Sequence, residues 1–235
     1  MDFLRARWED LILANYEVEP AVLAPYVPDG TELDLHNGVC YVSLVGFMFR
    51  KTRIMGIPVP FHLNFEEVNL RFYIRPIRQP ELRSVAFISE IVPRAAIPLI
   101  SNTLFREHYS ATRMAHVIAP PDISYQWGKQ LENRLAVTIS GERQLPIAGS
   151  LDEFITEHYH GFTPHPRGTL HYRVFHPQWE LTAVDHYRID VDFATNYGPD
   201  FAFLDHAKPA NVCYAHGSDV RVSFPSRMER EKDLS

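Results

Sequence analysis

Apolar and polar positions alternate with a period of two through most of this chain, the mark of strands rather than helices. Residues 8–18 read as a strand in which Trp8, Leu11, Leu13 and Tyr16 stand among acids. Glu19-Pro20 begins a short helix, because proline suits the first helical position, and Pro25 and the Pro28-Asp29-Gly30 turn end it. Residues 32–36 form a strand, Asn37-Gly38 is a two-residue hairpin signal, and the return strand 39–49 is almost wholly apolar, as expected when both faces are covered. In residues 50–63, Pro58 and Pro60 exclude a helix and favour an extended connection. Its stretch 54–61 is too apolar for a plain solvated loop, which leaves three readings open: a loop over the core, a pocket lid, or a contact in a homo-oligomer.

A strand at 64–75 follows, then a turn near Arg78-Gln79-Pro80 and a strand at 83–92 that Pro93 ends. Ala95, Ile97, Leu99, Ile100, Leu104 and Phe105 have helical spacing, which predicts a helix over 95–106. Strands are predicted at 109–118, 122–127 and 133–142, with Gly128-Lys129 as the turn between the last two. Ser150-Leu151-Asp152-Glu153 is a capping box that opens a helix running to about Tyr159, with Gly161 as its stop. Strands at 169–175 and 180–193, a short helical segment from Tyr197-Gly198-Pro199 and a strand at 212–224 complete the chain. Roughly ten strands and a few short helices without a βαβ rhythm predict a mainly β fold of antiparallel sheets. With no repeat or linker, residues 1–228 read as a single domain and the charged 229–235 as a disordered tail.

The segment Phe65-Glu66-Glu67-Val68-Asn69-Leu70-Arg71-Phe72-Tyr73 is the most informative. On a strand, Val68, Leu70, Phe72 and Ile74 make one apolar face, while Glu67, Asn69 and Arg71 make the other, with Phe65 and Tyr73 at its ends. A carboxylate, an amide and a guanidinium in a row suit either water or a polar cavity, and the alternation alone leaves both open.

Composition narrows the class. The formal net charge of -6 over 235 residues, with Arg and Lys scattered, argues against nucleic acid or an anionic membrane as partner. Cys40 and Cys213 lie in apolar runs and read as buried thiols in a reducing compartment. No signal peptide is visible, and no apolar run approaches the roughly 18 residues that cross a bilayer, so a cytoplasmic protein is expected. The chain has no glycine-rich nucleotide loop, nucleophile elbow, HExxH or CxxC, and no cofactor is assigned. Its 12 histidines are scattered. His158 and His160 are two apart and do not share a helix face, and no metal is assigned.

Six ordered motifs carry a family resemblance: the Trp8-to-Tyr16 opening, Val27-Pro28-Asp29-Gly30-Thr31-Glu32-Leu33-Asp34, Val42-Ser43-Leu44-Val45-Gly46-Phe47, residues 65–73, Glu90-Ile91-Val92-Pro93-Arg94, and Phe154-Ile155-Thr156-Glu157-His158-Tyr159. Together, from near residue 5 to about residue 228, the chain resembles the YqjF-like bacterial family of unknown function. The resemblance implies an acetoacetate-decarboxylase-like fold, in which antiparallel sheets form a cone-shaped barrel around a small-molecule cavity. In that decarboxylase a lysine forms a Schiff base with the ketone. The corresponding region here reads Arg106-Glu107-His108-Tyr109, and the four lysines of the chain, Lys51, Lys129, Lys208 and Lys232, sit in turn-like or terminal contexts. Imine chemistry needs a desolvated amine of low pKa, so decarboxylase activity is not carried over.

With a cavity implied by the resemblance, Glu67 or Glu90 would move a proton and His158 or His108 would be the partner acid or base. Asn69, Arg71, Tyr73, Arg94, His108, Tyr109 and Tyr159 would bind the ligand, Arg71 holding an anionic group. Plainer readings stand beside these: a weak surface pair of Glu67 and Arg71, an ion pair of Glu90 and Arg94, and a helix-end His158 favoured by the dipole. Two functions follow: an enzyme acting on a small organic acid or carbonyl compound by acid–base chemistry without a Schiff base, or a non-catalytic small-molecule binder or sensor.

Overall fold

The computed structural model of the chain describes residues 2–58, 62–93 and 109–228. In chain order its strands are β1 (Asp2–Val18), β2 (Thr31–Leu33), β3 (Cys40–Ile54), β4 (Ile57–Pro58), β5 (Phe65–Pro76), β6 (Ser84–Val92), β7 (Tyr109–Ala111) and β8 (Met114–Ala119). They continue with β9 (Asp122–Trp127), β10 (Asn133–Gln144), β11 (His160–His165), β12 (Gly168–Phe175), β13 (Leu181–Asp190), β14 (Asn211–Ser223) and β15 (Ser226–Met228). The helices are short: α1 (Pro20–Leu23), α2 (Leu151–Thr156) and α3 (Phe193–Tyr197), with 3-10 turns at Ala24–Tyr26 and Pro199–Asp205. Among the described residues no helix is long and apolar enough to cross a membrane.

β1, β3 and β5 lie side by side, antiparallel, at the centre. Beyond β5 the hydrogen-bonded order runs through β6, β11 and β12, and beyond β1 through β14, β13, β10, β9 and β8. β12 also pairs with β14 through Val174–Val222 and Phe175–Arg221, which closes β12, β11, β6, β5, β3, β1 and β14 into a ring. The alternation of the central strands divides their apolar side chains between two cores. Ile12, Ala14, Leu44, Leu70 and Phe72 belong with Ile123, Tyr125, Leu135 and Val137 of β9 and β10 in the outer core. Leu11, Leu13, Val45, Phe47 and Phe65 belong with Phe154, Ile155 and Trp179 in the inner one. This is why residues 40–49 are apolar except for Ser43: both faces of β3 are covered, and each fully buried large aliphatic chain is worth roughly 1.5–3 kcal/mol.

Several local expectations change. The Asn37-Gly38 turn forms, with φ of 52° at Asn37, but closes only the His36–Val39 bridge. β2 is shorter than predicted and pairs with β5, because both edges of β3 are already taken by β1 and β5. Residues 50–58 are not a connection. β3 continues to Ile54, turns at Met55-Gly56 with φ of 52° and 82°, and returns as β4. Met55 and Ile57 are exposed on this hairpin, while residues 59–61 lie outside the described residues. The helix expected over 95–106 also lies outside them, as do Arg94 and His108. The expected strand 109–118 is split into β7 and β8. Antiparallel pairing prevails, with short parallel contacts of β6 to β7 and to β11.

The capping box is present at α2: Ser150 Oγ accepts from Glu153 N at 3.2 Å, while the Glu153 carboxylate reaches back to Gly149 N at 2.7 Å. The helix stops at Thr156, earlier than expected, and Gly161 is not its stop. Gly161 belongs to β11, where a Cβ would lie 2.3 Å from Cζ of the Tyr172 ring. Cys40 and Cys213 are buried free thiols, and burial raises the pKa of both. Met228 ends β15, and the tail expected at 229–235 lies outside the described residues.

Gly217 anchors the β1–β14 ladder opposite Glu9. Its φ is 76°, and a Cβ there would lie 1.9 Å from the backbone oxygen of Trp8. Gly38 has a similar φ of 84° but open space around it. Gly38→Ala is therefore expected to cost roughly 1–2 kcal/mol, from the left-handed backbone alone. Gly217→Ala is expected to cost more than roughly 3 kcal/mol, since strain and a backbone clash add. Urea unfolding of both variants checks this, and equal losses would contradict it.

Candidate functional site

The odd-numbered face of β5 looks into the ring. Phe47, Val45 and Ser43 of β3 stand opposite Glu67, Asn69 and Arg71, and across the other edge Asn69 faces Glu90 of β6, which in turn faces Tyr109 of β7. Glu67 and Asn69 are each 3% exposed and Arg71 8%, so this face is interior rather than solvated. It forms one wall of a cavity of about 100 Å³. Trp8, Phe47 and Trp179 supply apolar wall, and His158, His160 and His176 also line the cavity.

The polar groups divide into two ends. At one, Asn69 Nδ2 donates to Glu67 Oε1 at 2.9 Å, and the Tyr109 hydroxyl donates to Glu67 Oε2 at 3.3 Å. At the other, Arg71 Nη2 donates to the carbonyl of Ile155 at 3.1 Å, in the last turn of α2, where carbonyls lack helical partners. The Arg71 guanidinium also lies 5.8 Å from the centre of the Tyr73 ring. Glu67 and Arg71 do not pair. On a strand, residues four apart on one face are separated by roughly 13 Å, unlike the neighbouring positions of a helix. Among the described residues Arg71 meets no carboxylate at ion-pair distance.

His158 follows α2 and packs against Tyr73, with ring centres 4.6 Å apart, and edge-on to Phe154 at 5.2 Å. Neither of its ring nitrogens has a partner in regular hydrogen-bond geometry. Burial above all, and then the charges of Arg71 and Arg83, hold its pKa well below the ordinary histidine value, against a weaker opposing pull from Ile155. It is therefore a neutral imidazole at pH 7. His176 is stacked on Trp179 at 4.2 Å with its Nδ1 2.8 Å from the Pro177 carbonyl, and burial lowers its pKa also. His160 bonds to His171, Nδ1 to Nε2 at 2.8 Å, and burial followed by the neighbouring His171 lowers its pKa to about 4. Among the described residues, no three metal-ligating side chains come together.

Of the residues expected at a site, Glu67, Glu90, His158, Asn69, Arg71 and Tyr109 line the cavity. Tyr73 is not among the residues that line the cavity: it stands behind Arg71, with its hydroxyl against Ser43. Tyr159 is outside the cavity: its hydroxyl donates to Glu157 in a short bond, and its ring lines an outer groove. The end of α2 at Thr156 causes this, because the chain leaves the helix at Glu157 and carries His158 into the cavity and Tyr159 to the outer groove.

Sequence reasoning missed the support behind Arg71. The Tyr73 hydroxyl lies 2.5 Å from Ser43 Oγ, Ser43 donates to Asn15 Oδ1 at 2.6 Å, Asn15 Nδ2 donates to Asn211 Oδ1 at 2.8 Å, and Asn211 Nδ2 donates to Asp152 at 2.9 Å. Ser43 spends its one proton on Asn15, so Tyr73 is the donor in the first link. Every donor then points toward the Asp152 carboxylate in the first turn of α2. The signal available was a lone amide and a lone hydroxyl, Asn15 and Ser43, each inside an apolar strand run. The aromatic wall of Trp8, Phe47 and Trp179 carried no distinguishing signal against core residues.

Asn15 is wholly buried at the centre of this chain of bonds. Asn15→Leu is expected to cost roughly 2–4 kcal/mol by stranding Ser43 and Asn211, and a cycle with Ser43→Ala should show coupling above roughly 0.5 kcal/mol. Strict additivity in urea melts would refute the network. The histidines give a pH prediction. His158 binds its proton near the ordinary value only when unfolded, so below about pH 6.5 the unfolded state holds more protons and stability falls with falling pH. His158→Gln should flatten the slope of unfolding free energy between about pH 6 and 5 by up to about 1.4 kcal/mol per pH unit. An unchanged slope would mean that His158 is charged in the folded protein.

Comparison with known proteins agrees with this architecture. Residues 5–219 match the model of the DUF2071 family, described as an uncharacterized conserved protein. The chain is 29% identical over 185 residues to the uncharacterized protein YqjF of Bacillus subtilis (strain 168), covering 76% of this chain and 74% of that protein. Among solved structures it is similar to acetoacetate decarboxylase from Legionella pneumophila, with a TM-score of 0.65 and 10% identity over 97% of this chain and 88% of that one. It is also similar to the enduracididine biosynthesis enzyme MppR complexed with pyruvate, with a TM-score of 0.64 and 12% identity over 100% of this chain and 93% of that one. At these identities the likeness shows the fold, which is of the acetoacetate-decarboxylase-like type. The length of the family match makes the assignment plain: this chain belongs to the DUF2071 family, to which the resemblance with YqjF-like proteins pointed.

Proposed function

We propose that the cavity takes a small organic anion, such as an oxo acid, and that the protein moves a proton on it without forming a Schiff base. The observation that carries this reading is Arg71, a guanidinium buried at a cavity wall whose hydrogen-bond partner is a carbonyl rather than a carboxylate. A buried charge is costly unless it is paired, and a ligand carboxylate meets a guanidinium with two parallel bonds. His158 lines the same cavity as a neutral imidazole able to accept a proton, and Glu67 is held in place by Asn69 and Tyr109 at the other end. At roughly 10–15 Å³ for each water-sized group, the volume admits a molecule of fewer than roughly ten non-hydrogen atoms. Neighbours of this fold named for acetoacetate or complexed with pyruvate fit that class. Lys51, Lys129 and Lys208 are exposed, and no lysine is among the residues described at the cavity.

The alternative is a binder or sensor that uses Arg71 in the same way and performs no chemistry. Two measurements separate the readings. Calorimetric titration with pyruvate and related oxo acids should show binding that Arg71→Met weakens by at least about thirtyfold. Proton NMR in deuterium oxide should show exchange at the carbon next to the carbonyl, lost in His158→Gln or Glu67→Gln while binding persists. Binding without exchange would leave only the sensor, and a borohydride-trapped adduct on any lysine would overturn the Schiff-base-free chemistry.

A further inference from the structure

Outside the ring, Arg173 and Phe175 of β12 point to the same side of their strand, and Arg221 of β14 stands directly opposite Phe175. Both guanidinium carbons sit against that one ring, at 4.5 Å for Arg173 and 5.2 Å for Arg221. Diagonal neighbours in an antiparallel pair are roughly 7–8 Å apart, so the two charges converge. Neither meets a carboxylate at ion-pair distance among the described residues. The row continues: Arg221 faces Arg5 of β1, and Arg5 faces Arg53 of β3. Like charges directly opposite one another repel. Arg5 is compensated by Asp2 at 2.8 Å, while Arg53 bonds the Gly56 carbonyl. A protein of net charge -6 thus carries a local excess of positive charge here.

The end of this row is concave. Arg173, Phe175, Arg221, Tyr159 and His176 line a groove of about 440 Å³ that also includes Asp219, whose carboxylate lies 3.6 Å from Arg7. Val174 and His176 face both this groove and the inner cavity, so the two share a wall. We propose that the groove is a second, outer anion site, which holds a tetrahedral dianion of the phosphate class between Arg173 and Arg221. Stacking on Phe175 restrains two long side chains that would otherwise lose rotamer freedom on binding, and their planar donor sets match the oxygens of such an anion. The occupant is inorganic phosphate or the phosphoryl group of a small metabolite, and the inner Arg71 is not involved.

Calorimetric titration of the full chain with inorganic phosphate at low salt tests this, with a sugar phosphate as a second arm and chloride at matched ionic strength as the control. Arg173→Gln and Arg221→Gln should each weaken phosphate about tenfold, and the double variant should abolish binding. Phe175→Leu, which keeps both charges, should also weaken it. Arg71→Met should leave phosphate binding unchanged while removing oxo-acid binding, so the outer and inner sites fail separately. Tighter binding of the sugar phosphate identifies a metabolite as the occupant, and equal affinity identifies free phosphate. Phosphate affinity unaltered in the arginine variants, chloride competing as well as phosphate, or no binding at millimolar phosphate would overturn the proposal. A fully retained affinity in Phe175→Leu would overturn the preorganised site and leave only diffuse surface charge.

Discussion

Because β1, β3 and β5 are covered on one side by the layer that includes β9 and β10, and on the other by the interior of the ring, neither face of their central residues reaches bulk water. Every polar side chain there has to be satisfied inside the protein or lose the free energy of its hydration. Asn15 and Ser43 are satisfied by a chain of bonds that ends on Asp152. Asn69 donates to Glu67 and Arg71 to the open end of α2, while Asn69 Oδ1 and Arg71 Nε keep no partner in regular geometry among the described residues. The position of α2 is therefore tied to the site twice, through Asp152 in its first turn and the Ile155 carbonyl in its last. A helix of six residues would not hold itself in water. Here Ser150 caps it, and Phe154 and Ile155 bury its apolar side in the inner core.

This coupling explains the electrostatic character of the cavity. A guanidinium stays charged when buried, so Arg71 imposes its field on its neighbours rather than adapting to them. His158, already disfavoured as a cation by burial, is pushed further toward neutrality by that field, and the Tyr73 pKa, raised by burial, is drawn partly back by the same charge. Glu67 and Glu90 lie toward the β6–β7 side, away from Arg71 along the strand. The result is a polarised cavity, cationic at the α2 end and carboxylate-lined at the other, which would orient a small molecule bearing one anionic group. The direction of the Asp152 chain adds to this. With every donor pointing toward the carboxylate, the Tyr73 oxygen presents its lone pairs to Arg71.

Much of this was legible in the residues themselves. The alternation at 65–73 identified both faces of β5 correctly, and the almost wholly apolar run at 39–49 marked a strand covered on two sides. The Ser150 capping box located the start of α2. What the residues could not disclose were relations that depend on pairing. β11 escaped because Gly161 and Pro164 weaken any strand pattern, and because a glycine after a helix reads as a stop until the Tyr172 ring is seen against it. Residues 50–58 looked like a connection because Met55-Gly56 is an uncommon sequence for a turn that requires positive φ at both positions. The supposed contact of Glu67 with Arg71 borrowed helical intuition for a strand. Tyr159 was placed in the cavity on the premise that α2 extended three residues further than it does.

The small volume of the cavity bears on which of the two functional readings the geometry suits. A ligand of fewer than roughly ten heavy atoms gains at most about 1.5 kcal/mol per atom, and only when almost every atom is well used. Arg71 would use two of them, and the aromatic wall would cover the rest by shape alone. A sensor has to extract a conformational signal from that modest binding energy, yet most of the residues around the cavity belong to strands of a closed ring. An enzyme has a lesser need. It requires substrate affinity near the working concentration and a few groups poised where charge develops. A neutral imidazole beside a fixed cation is suited to that task, because Arg71 would stabilise negative charge appearing on a substrate as His158 accepts its proton. The same charge would disfavour the protonated imidazole and favour its prompt return of that proton. Burial first, and the Arg71 charge after it, keep His158 neutral at rest, and the same two causes would make it a transient base rather than a permanent one.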